Sequence, residues 1–126
     1  MEELYNYNLD DEDIKHILEI NNDIFTLTSS EILEKINILI NLGCSIDTIK
    51  HVIVTNPYFL TNELIDIKNL INILSYLDII NYEEILNINP FILNNNVYDM
   101  EEYIKINKNK GYSDKYILDN IIRDNL

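Results

Sequence analysis

The chain has no tryptophan, alanine or glutamine, one cysteine, two glycines, two prolines, and only nine Lys and Arg among its 126 residues. Each shortage excludes something. A single thiol, Cys44, leaves no partner for an internal disulfide and no multi-cysteine metal cluster. Two glycines, Gly43 and Gly111, are too few for a glycine-rich phosphate loop. Nine bases against 22 acids give a formal net charge of −13, which argues against a groove for a phosphate backbone. The apolar runs, such as Ile38-Leu39-Ile40 and Ile79-Ile80, are broken by Asn or acid every few residues, so no membrane-spanning stretch is expected. The start, Met1-Glu2-Glu3-Leu4-Tyr5 running into Asp10-Asp11-Glu12-Asp13, has neither the basic opening of a secretory signal nor the Arg-rich bias of a presequence, and a cytoplasmic location is the expectation.

What the chain does contain is apolar bulk. Hydrophobic residues make up 47%, with 25 Ile and 16 Leu, enough to offset chain entropy despite the charge, so the chain is expected to fold. Its length suits a single domain over 1–126 that buries roughly two-thirds of its unfolded surface. The strong preference for Ile, Asn, Tyr and Lys, beside the absence of Ala, is a bias expected of an AT-rich genome.

A recurrence organises the sequence. Asn56-Pro57-Tyr58-Phe59-Leu60 returns as Asn89-Pro90-Phe91-Ile92-Leu93, a shift of 33, and each copy follows an apolar helical segment. Leu27, Leu60, Leu93 and Leu126 keep that register, with Asp23-Ile24-Phe25-Thr26-Leu27 as a degenerate earlier copy without proline. Units at 28–60, 61–93 and 94–126, after a leading half-unit at 1–27, fill the chain.

Each unit reads as two helices. Ile32, Leu33, Ile36, Leu39 and Ile40 recur at spacings of three and four over Ser30 to Leu42, the period of an amphipathic helix. Thr28 and Glu31 form a capping box at its start, and Gly43 ends it, because glycine tolerates the left-handed backbone of a C-terminal cap. A second helix, Ile46 to Thr55, must stop ahead of Pro57, since the residue before proline is pushed out of helical backbone. The same pattern predicts helices over Glu63 to Tyr76 and over Asn81 to Ile88, with Asn81 and Glu84 as a capping box. It predicts a further pair over Asp99 to Lys108 and Ser113 to Arg123, and a leading helix over Asp10 to Asn22. No alternating run suits a sheet, and the fold class is all-α.

The unit written in Leu42-Gly43, Ile49, Ile53 and Asn56 to Leu60 resembles the repeat of the mitochondrial transcription termination factor (mTERF) family. The resemblance covers about residues 28–126 and implies a short α-solenoid of helix pairs, each closed by a 3₁₀ turn after the proline. In that family the concave face is basic and binds nucleic acid. Here the charge departs from the family. Residues 1–34 carry ten acids and one base, Lys15, and only the last unit collects cations. A family-like nucleic-acid contact would have to use Lys105, Lys108, Lys110, Lys115 and Arg123, which Glu101, Glu102, Asp114, Asp119 and Asp124 balance to zero.

Catalytic chemistry finds little support. His16 and His51, the two histidines, lack partners at metal-ligand spacing apart from Asp47 four residues before His51. Cys44 follows a helix cap with no local base, and reads as a small half-buried hydrophobe. Adjacent acids such as Glu83-Glu84 point to different sides of a helix and form no shared-proton dyad. Tyr76, Tyr82, Tyr103 and Tyr116 fall on or near apolar helical faces and are expected to pack in the core or at an interface. No cofactor is implied and no enzyme is expected. The favoured reading is an acidic interaction module that docks a basic protein partner, with Asp10, Asp11, Glu12 and Asp13 as the contact segment. Nucleic-acid binding through the last unit is the alternative.

Overall fold

The computed structural model describes residues 1–78 and 80–124; Ile79 and Leu126 of the expectations above lie outside the described residues. Described residues form helices and turns, with no strand among them. The α-helices are α1 (Asp11–Ile20), α2 (Ser29–Asn41), α3 (Ile46–Thr55), α4 (Leu64–Leu74), α5 (Tyr82–Ile88), α6 (Val97–Asn109) and α7 (Asp114–Asp124). Four short 3₁₀ segments accompany them among the described residues: Glu2–Tyr7 ahead of α1, and Asn22–Thr26, Pro57–Leu60 and Ile92–Asn94 between helices.

Helix ends follow local chemistry. Thr28 and Glu31 close a reciprocal capping box on α2, and Asp10 and Asp13 close another on α1. At α5 one half of the expected box is made: Asn81 accepts the Glu84 N–H at 3.3 Å. Gly43 and Gly111 take φ of +88° and +86° after α2 and α6, where the following amides, Cys44 and Tyr112, reach back five residues to Leu39 and Asn107. The expected helix over Asp10 to Asn22 stops at Ile20 and turns at Asn21, whose φ −138° and ψ 87° are not helical.

The core is a row of isoleucines and leucines taken from every α-helix. Ile17, Ile32, Ile36, Leu39, Val52, Ile53, Ile67, Leu74, Leu86 and Ile121 are fully buried, each worth about 1.5–3 kcal/mol relative to exposure. Leu60 and Leu93, after the two prolines, are 0% and 2% exposed. Lys35 interrupts the stripe on α2 and is itself buried. Tyr82 and Tyr103 pack against the core, whereas Tyr76 and Tyr116 are about half exposed and are not core residues, and Tyr116 stacks on Tyr112 with ring centroids 4.5 Å apart.

Three joints share one form. Asn21, Asn56 and Asn89 each end a helix with nearly the same backbone angles, each is buried, and each sends its side-chain amide across to a backbone carbonyl far along the chain. Asn21 donates to the Pro57 carbonyl at 3.4 Å, Asn56 to the Pro90 carbonyl at 3.1 Å, and Asn89 to the Ile122 carbonyl at 2.9 Å. The proline that follows Asn56 and Asn89 enforces the break in the helix there; at Asn21 no proline follows, and the buried amide holds the same backbone. Residues three beyond each asparagine, Ile24, Phe59 and Ile92, are buried. The residue four beyond Asn21 is Phe25, which is 67% exposed, whereas the matching Leu60 and Leu93 are buried. The alignment of Leu27 with Leu60 is therefore two residues out, because Asn21 precedes Asn56 by 35 positions and Asn56 precedes Asn89 by 33.

Candidate interaction surface

The acidic segment Asp10–Asp13 is partly occupied with holding α1 together. Asp10 accepts the Asp13 N–H at 2.8 Å, and Asp13 accepts the Asp10 N–H at 3.0 Å. That amide, and secondarily Lys50 at 3.7 Å, keeps the Asp13 carboxyl below the usual carboxylate range. Asp11 accepts the Tyr5 hydroxyl at 2.5 Å, a bond that raises the Tyr5 pKa because it stabilises the protonated phenol. Glu12 is exposed, as are Glu2, Glu19, Asp23 and Glu34 on the adjoining stretch. Among the described residues, Lys50 is the only side-chain base that pairs with any acid of residues 1–34. Glu3 pairs with the terminal ammonium at 2.7 Å, and the other acids of this region apart from Asp13 face solvent.

The five cations of the last unit are arranged differently. Lys105 pairs with Glu101 at 2.7 Å, Lys115 with Asp119 at 3.0 Å, and Lys108 donates to the Tyr76 carbonyl at 2.7 Å with Asp114 3.7 Å away. Arg123 donates to the Asn120 side chain at 2.5 Å. Lys110, at the end of α6, is exposed. Glu101 and Asp119 stand four residues from their lysines on the same helix face, so those charges are compensated where they arise. A strip of unopposed cations is not what this spacing builds.

One polar cluster was missed by sequence reasoning. Glu83 of α5 reaches the N-terminus of α3: one carboxylate oxygen accepts the Ser45 and Thr48 hydroxyls, both at 2.7 Å, and the other accepts the Ser45 N–H at 2.7 Å. Asn87 donates to the Thr48 hydroxyl oxygen at 2.8 Å. These donors, Ser45 first, hold the Glu83 carboxyl below its ordinary range, and the negative charge sits favourably at a helix N-terminus. The neighbouring Cys44 is pushed up to about 11 by burial and by that same charge, the opposite of an activated thiol. The spacing of 38 residues between Ser45 and Glu83 gives no local signal, and only the packing of α3 on α5 reveals the pair.

His51 and Asp47 line a cleft of about 260 Å³ along α3 with Lys50, Val54 and Thr55. The His51 Nδ1 lies 3.4 Å from the Thr55 hydroxyl, one helical turn on, rather than on Asp47. His16 is exposed on α1. Among the described residues, no group of three or more His, Cys, Asp or Glu is placed to hold a metal ion. Nor is any helix among them long and apolar enough to cross a membrane. No protein-family model, curated protein or solved structure matches the chain.

Proposed function

We propose that the chain is a short α-solenoid of helix pairs, mTERF-like in plan, that works as a non-enzymatic acidic module docking a basic protein. The solenoid reading is supported by the three asparagine joints, each of which ties the end of one helix pair to the next. A period of 33–35 residues between joints fits stacked units that each bury only part of their own apolar surface. The docking reading is carried by one observation: the acids of residues 1–34 outnumber their bases ten to one, and among the described residues they are met only by the Asp13–Lys50 pair, the terminal ammonium on Glu3 and the buried Lys35 near Glu31 and Glu34. A surface of that charge draws cationic partners and repels polyanions, with a strength that salt screens over about 10 Å at 0.1 M.

Stopped-flow association with polylysine tests the docking reading. The rate is expected to fall as salt rises, and to fall further when Asp10→Asn, Asp11→Asn, Glu12→Gln and Asp13→Asn are combined. Asn at position 10 keeps an N-cap acceptor, so α1 should survive the change. A rate that ignores salt, or a charge-neutralised variant that associates as fast as the parent, would contradict the reading.

A further inference from the structure

Exposed apolar residues recur in register beside the joints. Ile20 and Ile88 each stand immediately before a joint asparagine, and Tyr58 and Phe91 each stand two residues beyond one. All four are between 36% and 62% exposed, whereas Leu60 and Leu93 of the same turns are buried. The Tyr58 hydroxyl donates to the Ile20 carbonyl at 3.2 Å, so the turn after α3 reaches the end of α1. Asn56 repeats the reach of Asn21: each donates to the carbonyl one residue beyond the next joint and to the side chain five beyond it, Thr61 in one case and Asn94 in the other. Phe91 thus holds, relative to the end of α3, the place that Tyr58 holds relative to the end of α1. A seam of aromatic and aliphatic side chains follows the joints along the array.

Acids border this seam. The helices α1, α3 and α5 pack side by side, and residues nine, five and two ahead of each joint fall on one helix face. Those places hold Glu12 and Glu19 on α1, Asp47 on α3 and Glu84 on α5, all of them exposed. The three helices carry seven acids against two bases, one of which, Lys50, pairs with Asp13. The helices α2, α4 and α6 also expose apolar side chains, Ile65 and Tyr98 among them, but carry six acids against four bases. Charge therefore distinguishes the two rows of helices.

We propose that the joint edge docks an amphipathic helix of the basic partner, lying along the array with its apolar face on the seam and its lysines and arginines beside Glu12, Glu19, Asp47 and Glu84. The proposal rests on the docking reading above and adds to it a surface and a shape. Packed helices lie about 8–10 Å apart and two turns of helix rise about 10.5 Å, so apolar residues seven apart meet successive joints. The cleft along α3, lined by Val54 and Thr55 with Asp47 beside them, offers room for an apolar side chain next to a cation. Glu12 belongs also to the Asp10–Asp13 segment, which makes the acidic border continuous with it. A second copy of the chain, at net −13, would meet like charge on this edge.

The test is fluorescence anisotropy at 0.15 M salt with a labelled helical peptide of leucine and lysine, its leucines on one face, against a peptide of the same composition with the leucines dispersed. The amphipathic peptide is expected to bind at least tenfold tighter. Tyr58→Ser combined with Ile88→Ser should weaken it at least fivefold, while Ile65→Ser combined with Tyr98→Ser, exposed residues on α4 and α6, should leave it within twofold. Backbone-amide NMR of the unaltered chain reads the same contact without a substitution, with shifts expected at Ile20, Val54, Tyr58 and Ile88 and none at Ile65 or Tyr98. Equal affinity for the two peptides, no loss in the Tyr58 and Ile88 variant, equal loss in both variants, or shifts centred on α4 and α6 would overturn the seam. Polylysine separates the two readings: if it binds while the two leucine–lysine peptides bind alike, the seam alone is overturned, and if neither polylysine nor either peptide binds, the docking reading falls as well.

Discussion

Asn56 and Asn94 exchange hydrogen bonds through their side-chain amides: the Asn56 nitrogen donates to the Asn94 oxygen at 3.0 Å, and the Asn94 nitrogen donates back to the Asn56 oxygen at 2.8 Å. Asn56 is fully buried and also donates to the Pro90 carbonyl, so one side chain joins the end of α3 to the turn after α5. Truncating it strands the buried Pro90 carbonyl. Asn56→Ala is expected to cost about 1–3 kcal/mol in urea unfolding. Asn56→Asp, which removes the donor and adds a buried charge, should cost more at neutral pH. Equal stability of all three proteins would show that the joint is not a structural tie.

The two leucines after the prolines give a second expectation. Leu60→Ala and Leu93→Ala should each lose about 2–5 kcal/mol, the usual range for a large-to-small change in a packed core. Phe25→Ala, at the matching place after Asn21 but largely exposed, should change stability by less than about 0.5 kcal/mol. Denaturant midpoints at constant slope measure all three.

Glu83 gives a pH signature. Its folded carboxyl titrates below the ordinary value of 4.5 because Ser45 and Thr48 donate to the charged form. A depressed folded pKa means that the unfolded chain takes up this proton first as acid is added. The stabilisation is therefore present in full above the ordinary Glu range and is lost as pH falls through it toward the folded pKa. Glu83→Gln should be less stable than the parent at pH 7, and the gap should close steadily below about pH 4.5. A gap that stays constant with pH would show that the carboxylate charge plays no part.

Cys44 should be a slow thiol. With its pKa near 11, the thiolate fraction at pH 8 is on the order of a hundredfold below that of a free cysteine, and reaction with a disulfide reagent should slow to match. Glu83→Gln removes one of the two causes and should speed the reaction. Reaction at the rate of a free thiol would contradict the burial argument.

Helix ends were legible because they are local: Thr28 with Glu31, Gly43 and the residues ahead of Pro57 and Pro90 act within a turn of where they stand. The recurrence of Leu60 and Leu93 was legible as a shared register after the two prolines, and the structure buries both. The asparagine ties were not, since Asn56 and Asn89 before proline read equally as turn residues, Asn21 has no proline to mark it, and the partners lie 33–36 residues away. Lys35 had a signal that went unused: it shares the apolar stripe of Ile32, Ile36 and Leu39, where a surface lysine would not be placed. In the last unit the spacing of Glu101 to Lys105 and of Lys115 to Asp119 already spelled local compensation, and the structure makes both pairs. The Glu83 cluster depends on two helices meeting, and no pattern within either announces it.

On the docking reading proposed above, the chain's charge selects basic protein and refuses nucleic acid. Fluorescence anisotropy of the purified protein against duplex DNA, single-stranded RNA and polylysine at 0.15 M salt tests it most directly. Polylysine is expected to bind with an affinity that falls as salt is raised, while neither nucleic acid binds measurably. Micromolar or tighter nucleic-acid binding that disappears on reversing Lys105, Lys108, Lys110, Lys115 and Arg123 would contradict the account and move the contact to the last helix pair.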